Sequence, residues 1–297
     1  MAVLGLSDYQ YNFNGLTFGE GTQIMVDHAE GFEGFEVRTS DSDEPRNDGA
    51  IRGLDYVSAR TVAFTLALGE TSDTDYETDW ATVRAAFLPS RSTDQALTFK
   101  RPGQVERYLN CRPIQLVRVE DYLRFNQVGH PPVVFRAVDP RVYSTATQSL
   151  LATVFASTSG GMDWSVTNWP VDFTGASQTL FSAVNNGTAD AYPLIRFYGP
   201  TVGTVTGVTL TNLTNGDVLT VSTTMTTGQI LTADMTAAVT GANTLIVSLD
   251  GSNRYGSWSV PRSPFRLSPG SNDLKFTVTG TSTDALASVM WSDTWID

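Results

Sequence analysis

The apolar residues of this chain occur in short runs with a period of two, and this pattern constrains the fold most. The clearest run covers 60–68, where Val62, Phe64, Leu66 and Leu68 alternate with polar or small side chains. Alternation of this kind places one set of side chains on one face of a β-strand, so these four are expected to face a core.

The second half of the chain differs from the first in amino-acid composition. Residues 150–297 are rich in Thr, Ser, Gly and Asn, and their short apolar runs are separated by turn sequences at 186–187, 215–216, 250–251 and 269–270. Several short strands at near-regular spacing are typical of an antiparallel sandwich or jelly roll. Every glutamate lies at or before Glu120. Since glutamate favours helices, the second half is predicted to contain strands joined by turns.

One segment has helical spacing. Trp80, Val83 and Phe87 fall on one side of a predicted helix at about 78–88, and Pro89 ends it.

A Ser/Thr-rich joint at 144–149 marks the best domain boundary. The predicted fold is therefore mainly β, with two antiparallel β-sandwich domains, 1–145 and 146–297, of which the first contains the one short α-helix.

The sequence contains few residues suited to catalysis. Its single cysteine, Cys111, lies in a predicted strand and is expected to be a buried structural thiol. The two histidines, His28 and His130, form no ligand-spaced cluster, and the motifs of serine hydrolases and phosphate-binding loops are missing. We therefore predict no catalytic, metal or cofactor site and no enzyme activity. The alternative is a glycan-degrading enzyme with a pair of catalytic carboxylates, whose separation in space the sequence does not give.

The charge balance is strongly acidic. The chain has 31 acidic and 19 basic side chains, a net charge of −12, which argues against a protein that binds nucleic acid by neutralising phosphates. Two acidic runs, at 39–50 and 73–79, are expected on exposed loops, and the first lacks the spacing of an EF-hand calcium loop. They supply six candidate site residues: Asp41, Asp43, Glu44, Asp48, Asp73 and Asp75.

No apolar run is long enough to span a membrane, and no signal peptide is predicted at the N-terminus.

The six tryptophans suggest an alternative function. Trp164 and Trp258 are candidates for stacking on sugars, as in a carbohydrate-binding module that recognises host cell-surface glycans. Trp291 and Trp295 lie four residues apart near the C-terminus and are expected to pack in a core.

Several motifs resemble those of siphophage distal tail proteins when their order and spacing are taken together. The stretch 267–276, LSPGSNDLKF, followed by 287–296, resembles the ending of that family, which reads Leu-x-Pro-Gly-x-Asn, two strands and an aromatic-bearing last strand. Trp291-Ser292 departs from the aromatic-Arg pair expected in the last strand. Four further segments agree with the family: 13–16, 53–62, 135–141 and 212–219.

The resemblance implies a structural virion protein of the phage tail tip, made in the host cytoplasm. Such proteins form a ring, typically a hexamer, that joins the tail tube to the baseplate hub or tail fibre. The N-terminal domain builds the ring around the DNA channel, and the C-terminal domain is a galectin-like or carbohydrate-module-like sandwich. This role needs no cofactor and no membrane span, and DNA passes through without specific binding.

The resemblance also implies a role for the acidic charge. A hexamer would carry six times the −12 of one chain. DNA passing through an acidic lumen is repelled rather than held by counterion release. We expect part of the acid in 39–55 or 70–79 to face that channel, with solubility of exposed loops as the simpler alternative.

Overall fold

The computed structural model describes residues 3–44, 48–69, 73–91, 93–119, 128–153, 179–240, 246–281 and 285–296. This part of the chain is built mainly from antiparallel strands, which confirms the predicted mainly-β fold. The strands are β1 Gln10–Phe13, β2 Leu16–Gly19, β3 Met25–Glu30, β4 Val37–Arg38, β5 Ser42–Asp43, β6 Ala50–Ile51, β7 Tyr56–Val57, β8 Arg60–Gly69, β9 Gln95–Phe99, β10 Arg107–Leu116, β11 Val128–Gly129, β12 Pro132–Ala137, β13 Val142–Thr153, β14 Thr179–Asn185, β15 Leu194–Tyr198, β16 Val205–Asn212, β17 Val218–Val221, β18 Ile230–Asp234, β19 Val247–Leu249, β20 Ser252–Asn253, β21 Gly270–Gly280 and β22 Leu286–Trp295. The helices are α1 Asp73–Ala86 and α2 Met235–Thr240, of which the second was not predicted.

By contacts the chain divides into two compact units. Unit 1 is Met1–Ala146 with Trp295–Asp297, and unit 2 is Thr147–Thr294. The described residues contain no helix of the length and apolar character needed to cross a membrane.

Unit 1 contains two antiparallel sheets that share β10. One has the order β3-β8-β12-β10, and the other runs β2-β1-β9-β10. The inward residues of β8 are Val62, Phe64, Leu66 and Leu68, none more than 1% exposed, so the face predicted from their alternation is confirmed. They pack in one core with the aromatic residues of β1, β2 and β12.

The helix of unit 1 begins earlier than the sequence predicted. It runs from Asp73 to Ala86 rather than over 78–88. Its first three residues are polar and acidic, so the apolar spacing begins only at the buried Tyr76, and negative charge at a helix N-terminus is favoured by the dipole. The side chains of Trp80 and Val83 are buried against the core, as their spacing indicated.

Unit 2 also packs two sheets around a single core. One has the order β14-β21-β16-β17, and in the other β15 pairs with β22 and β18, followed by β19 and β20. Trp291 is buried in this core, whereas Trp295 is buried in the core of unit 1. Core packing, the predicted role of both, is therefore confirmed.

Candidate functional site

The first acidic run lies on a projecting hairpin rather than on a loop. Within 36–58, β4 pairs with β7 and β5 pairs with β6, and Ser58 N donates to Glu36 O at 2.7 Å while Glu44 N donates to Gly49 O at 3.2 Å. Gly53 lies so close to the facing strand that a Cβ there would be 2.1 Å from Ser40 O. We call residues 35–44 and 48–58 the arm. The sequence prediction of a long loop at 39–50 was wrong, although its exposure is confirmed.

The arm carries four of the six acidic candidates, and all four are exposed: Asp41, Asp43, Glu44 and Asp48. Asp41 Oδ1 accepts a hydrogen bond from Gly53 N at 2.8 Å, which links the two facing segments of the hairpin. Asp43 and Glu44 make no side-chain hydrogen bond or ion pair with the described residues. Their carboxylates are therefore free to meet a partner outside the chain.

Large apolar side chains on the arm are exposed as well. The exposed fractions are 61% for Phe35 and Ile51 and 70% for Leu54. A two-stranded ribbon has no layer beneath it in which to bury such groups, and an isolated hairpin is marginally stable in water. The arm therefore combines acidic and apolar groups on a surface that its own unit does not cover.

Two members of the second acidic run, Glu77 and Asp79, are engaged within unit 1. Glu77 pairs with Arg118 through two contacts, of which the shorter is 2.6 Å. Asp79 is buried and accepts hydrogen bonds from Gln23 Nε2 at 2.9 and 3.0 Å. Asp73 and Asp75 lie in the first turn of α1, and their side chains fall outside the described residues.

The structure excludes one of the two tryptophans that were candidates for stacking on sugars. Trp258 is 2% exposed and packs in the core of unit 2, so its ring has no face on which a sugar could stack. A glycan contact at Trp258 was therefore a wrong expectation. Trp164 lies outside the described residues.

Two of the motifs that carry the family resemblance, 212–219 and 267–276, meet within unit 2. Asn272, from the Leu-x-Pro-Gly-x-Asn stretch, is fully buried and accepts a hydrogen bond from Nδ2 of the equally buried Asn212 at 2.9 Å. Its own Nδ2 donates to Ser268 O at 2.8 Å and to Gly270 O at 3.0 Å. The two motifs, 60 residues apart in sequence, are thus one structural feature in which buried amides hold two turns.

A third buried amide and an ion-pair cluster extend this feature. Asn185 Nδ2 donates to Ala189 O at 2.8 Å and to Leu267 O at 3.1 Å. Arg266 bridges Asp190 at 3.0 Å and Asp217 at 3.1 Å; desolvation lowers the pKa of its guanidinium, but the two carboxylates together outweigh this and raise it. The local sequence identified these segments as turns. It did not show that the side-chain amides pair, because the paired residues lie far apart in the chain.

Groups suited to chemistry are sparse in the described parts of the chain. No group of three or more His, Cys, Asp or Glu side chains there could hold a metal ion. The Cys111 thiol is buried, and burial, reinforced by the negative charge of Asp94, raises its pKa far above the usual range. The predicted burial of Cys111 is confirmed.

We expect Cys111 to be inert in the folded protein. A raised pKa means that almost no thiolate, the reactive form, is present at pH 8, and the sulfur is also out of reach of a reagent. Mass spectrometry after iodoacetamide treatment should show no alkylation of the native chain and complete alkylation in denaturant. Rapid modification of the native protein would contradict the burial.

Comparison with known proteins gives a likeness in structure only. No protein-family model and no curated protein matches the chain. Among solved structures it is similar to the SPP1 Dit (gp 19.1) protein, with a TM-score of 0.66 and 14% identity over 96% of this chain and 98% of that one. The chain has the fold of SPP1 Dit.

The SPP1 protein is described as a paradigm of the hub adsorption apparatus in phages that infect Gram-positive bacteria. A chain of the phage P2 baseplate in its activated conformation with Ca also matches, with a TM-score of 0.48 and 10% identity over 95% of this chain and 97% of that one. The likeness to SPP1 Dit covers 96% of this chain and therefore includes residues of both units.

Proposed function

We propose that this chain is a distal tail protein, a structural component of a phage tail tip. The observation that carries the proposal is the shared fold over 96% of the chain with SPP1 Dit, a hub protein. The family motifs in the sequence support it as well. Two of them meet in the structure through the hydrogen bond between the buried side chains of Asn212 and Asn272.

In this role the chain forms a homo-oligomeric ring, a hexamer, that joins the tail tube to the tail hub or fibre. The ring surrounds the channel through which DNA leaves, and the chain acts by assembly and without catalysis. After synthesis in the host cytoplasm it becomes part of the virion. A net charge of −12 per chain is compatible with this role, because an acidic lumen would repel DNA and let it pass without being held.

The ring is tested by imaging. Negative-stain electron microscopy of the purified chain, alone and mixed with its tail partners, should show six-fold particles with a central hole. Particles that stay monomeric under every condition, partners included, would remove the proposal. A ring with a different number of subunits would correct the order and leave the role intact.

A further inference from the structure

Three of the five basic side chains of unit 2 lie in one short segment. Residues 251–266 contain Arg254, Arg262 and Arg266 and no acidic residue, although residues 147–294 as a whole carry nine acidic and five basic side chains. All three arginines are exposed. The segment is therefore a local region of positive charge on an acidic unit. At physiological ionic strength the effect of charges farther away than about 8 Å is largely screened.

The three arginines differ in the anions that compensate them. Arg266 forms ion pairs with Asp190 and Asp217. Within the part of the chain that the structure describes, neither Arg254 nor Arg262 forms an ion pair. Two guanidinium groups of this segment can therefore bind an anion that comes from outside the chain.

Contacts within the segment hold the side chain of Arg262 in place. Its Nε donates a hydrogen bond to Trp258 O at 3.0 Å, and its guanidinium carbon lies 4.8 Å from the centroid of the Tyr255 ring. The Tyr255 ring makes a T-shaped contact with the buried ring of Trp258, with centroids 5.8 Å apart. The two Nη groups of Arg262 make no hydrogen bond with the described residues. A guanidinium held by a cation–π contact and one hydrogen bond loses less side-chain entropy when these remaining donors bind an anion.

Exposed apolar side chains belong to the same segment. Val260, two residues before Arg262, is 82% exposed, and Tyr255 is 39% exposed. We call Arg254, Tyr255, Val260 and Arg262 the basic patch. A ligand in which anionic groups alternate with short carbon chains matches a surface of guanidinium groups and apolar side chains.

We propose that the basic patch binds the phosphodiester groups of an anionic polyol-phosphate polymer of the bacterial cell surface. Arginine binds phosphate through paired N–H donors, and the CH groups of the polyol contact Val260 and Tyr255. The inference adds a binding site to the proposed structural role. A single chain binds the polymer weakly, and chains held in a ring bind it more tightly because several patches contact one polymer.

Charge density favours such a polymer over DNA. Duplex DNA carries one charge per about 1.7 Å of its axis. A chain with a net charge of −12 repels a ligand of this density. A single strand whose phosphates are separated by polyols has a lower charge density, so two guanidinium groups neutralise a larger share of the charge that lies near them.

Calorimetric titration of the purified chain with poly(glycerol phosphate) tests the site. Arg254→Ala and Arg262→Ala should each lower the binding constant by about three- to tenfold, because each removes charge-assisted hydrogen bonds. Arg196→Ala, at an exposed position of unit 2 outside the patch, is the matched control and should leave binding unchanged. Analytical ultracentrifugation checks that each variant keeps the oligomeric state of the wild type. A loss in Arg196→Ala as large as that in Arg262→Ala would reduce the interaction to net charge and overturn the site.

Tyr255 is tested as the residue that positions Arg262. Tyr255→Phe keeps the ring and should bind like the wild type, whereas Tyr255→Ala should lose about as much affinity as Arg262→Ala. The double variant Tyr255→Ala, Arg262→Ala should lose little more than either single variant, since both changes remove the same contact. Losses that add in the double variant would show that the ring does not act through Arg262, and would overturn this arrangement of the site.

Two comparison ligands decide the chemical class. Duplex DNA and neutral polyglycerol, at the same concentration of repeating units, should both bind more weakly than poly(glycerol phosphate). Equally tight binding of DNA would overturn the assignment to a cell-surface polymer, and equally tight binding of polyglycerol would show that the phosphate is not recognised. A wild-type chain that forms rings but binds no poly(glycerol phosphate) would remove the site and leave the proposed function standing. Binding by a chain that never forms rings would keep the site and remove the ring.

Discussion

Replacing Asn272 by alanine should lower the free energy of unfolding of unit 2 by about 3 kcal/mol, because several hydrogen bonds to one fully buried amide are lost together. The substitution leaves Asn212 Nδ2 without its acceptor in Asn272 and removes the donor to the carbonyls of Ser268 and Gly270. A buried polar group that loses its partner retains its desolvation penalty, so the loss exceeds that of an exposed hydrogen bond.

Calorimetry measures this effect. For a unit of this size a loss of 3 kcal/mol corresponds to a fall of about 6–12 °C in the Tm of its transition. Asn272→Asp should be at least as damaging, because it removes the donor and places a charge beside two carbonyl oxygens. Asp273→Ala, exposed on the same strand, is the matched control and should change stability by less than about 0.5 kcal/mol. A loss from Asn272→Ala no larger than this control would show that the amide does not hold the turns.

The sequence predicted those elements in which one face is buried. β8 was found because its inward residues Val62 to Leu68 have a period of two that the core imposes. The arm was missed as a hairpin because both faces of a two-stranded ribbon are exposed, so no burial imposes a period on residues 39–50. Its acidic charge was visible in the sequence, but its projection from the unit was not.

The remaining misses concern contacts between distant segments. Asn212 and Asn272 each look like turn residues, and only the folded chain shows that their amides meet. The same holds for Trp258, whose burial depends on the strands around it. A local pattern records the backbone preference of a residue, whereas its neighbours in space depend on register and topology.

The largest loss of stability in unit 1 is expected from Phe64→Ala, at about 4 kcal/mol. Phe64 is 1% exposed, and its ring centroid lies 4.9 Å from that of Tyr11, 5.4 Å from those of Phe18 and Phe32, and 5.9 Å from that of Phe135. Truncation therefore removes one ring's transfer free energy, leaves a cavity and ends four aromatic contacts at once.

Hydrogen exchange of the backbone amides in the strands around Phe64 and in unit 2 shows which unit is destabilised. Protection of β8 and of its partners β3 and β12 should fall in Phe64→Ala, since these strands are hydrogen-bonded to one another beside the cavity, while protection of β16 and β21 in unit 2 should hold. Thr65→Ala, the next residue of β8, points to the other side of the sheet and should change protection little. Phe64→Leu refills part of the volume and should lose less than half as much stability as Phe64→Ala. Equal losses in Phe64→Ala and Thr65→Ala would contradict a core that is built around this ring, because only one of the two side chains faces it.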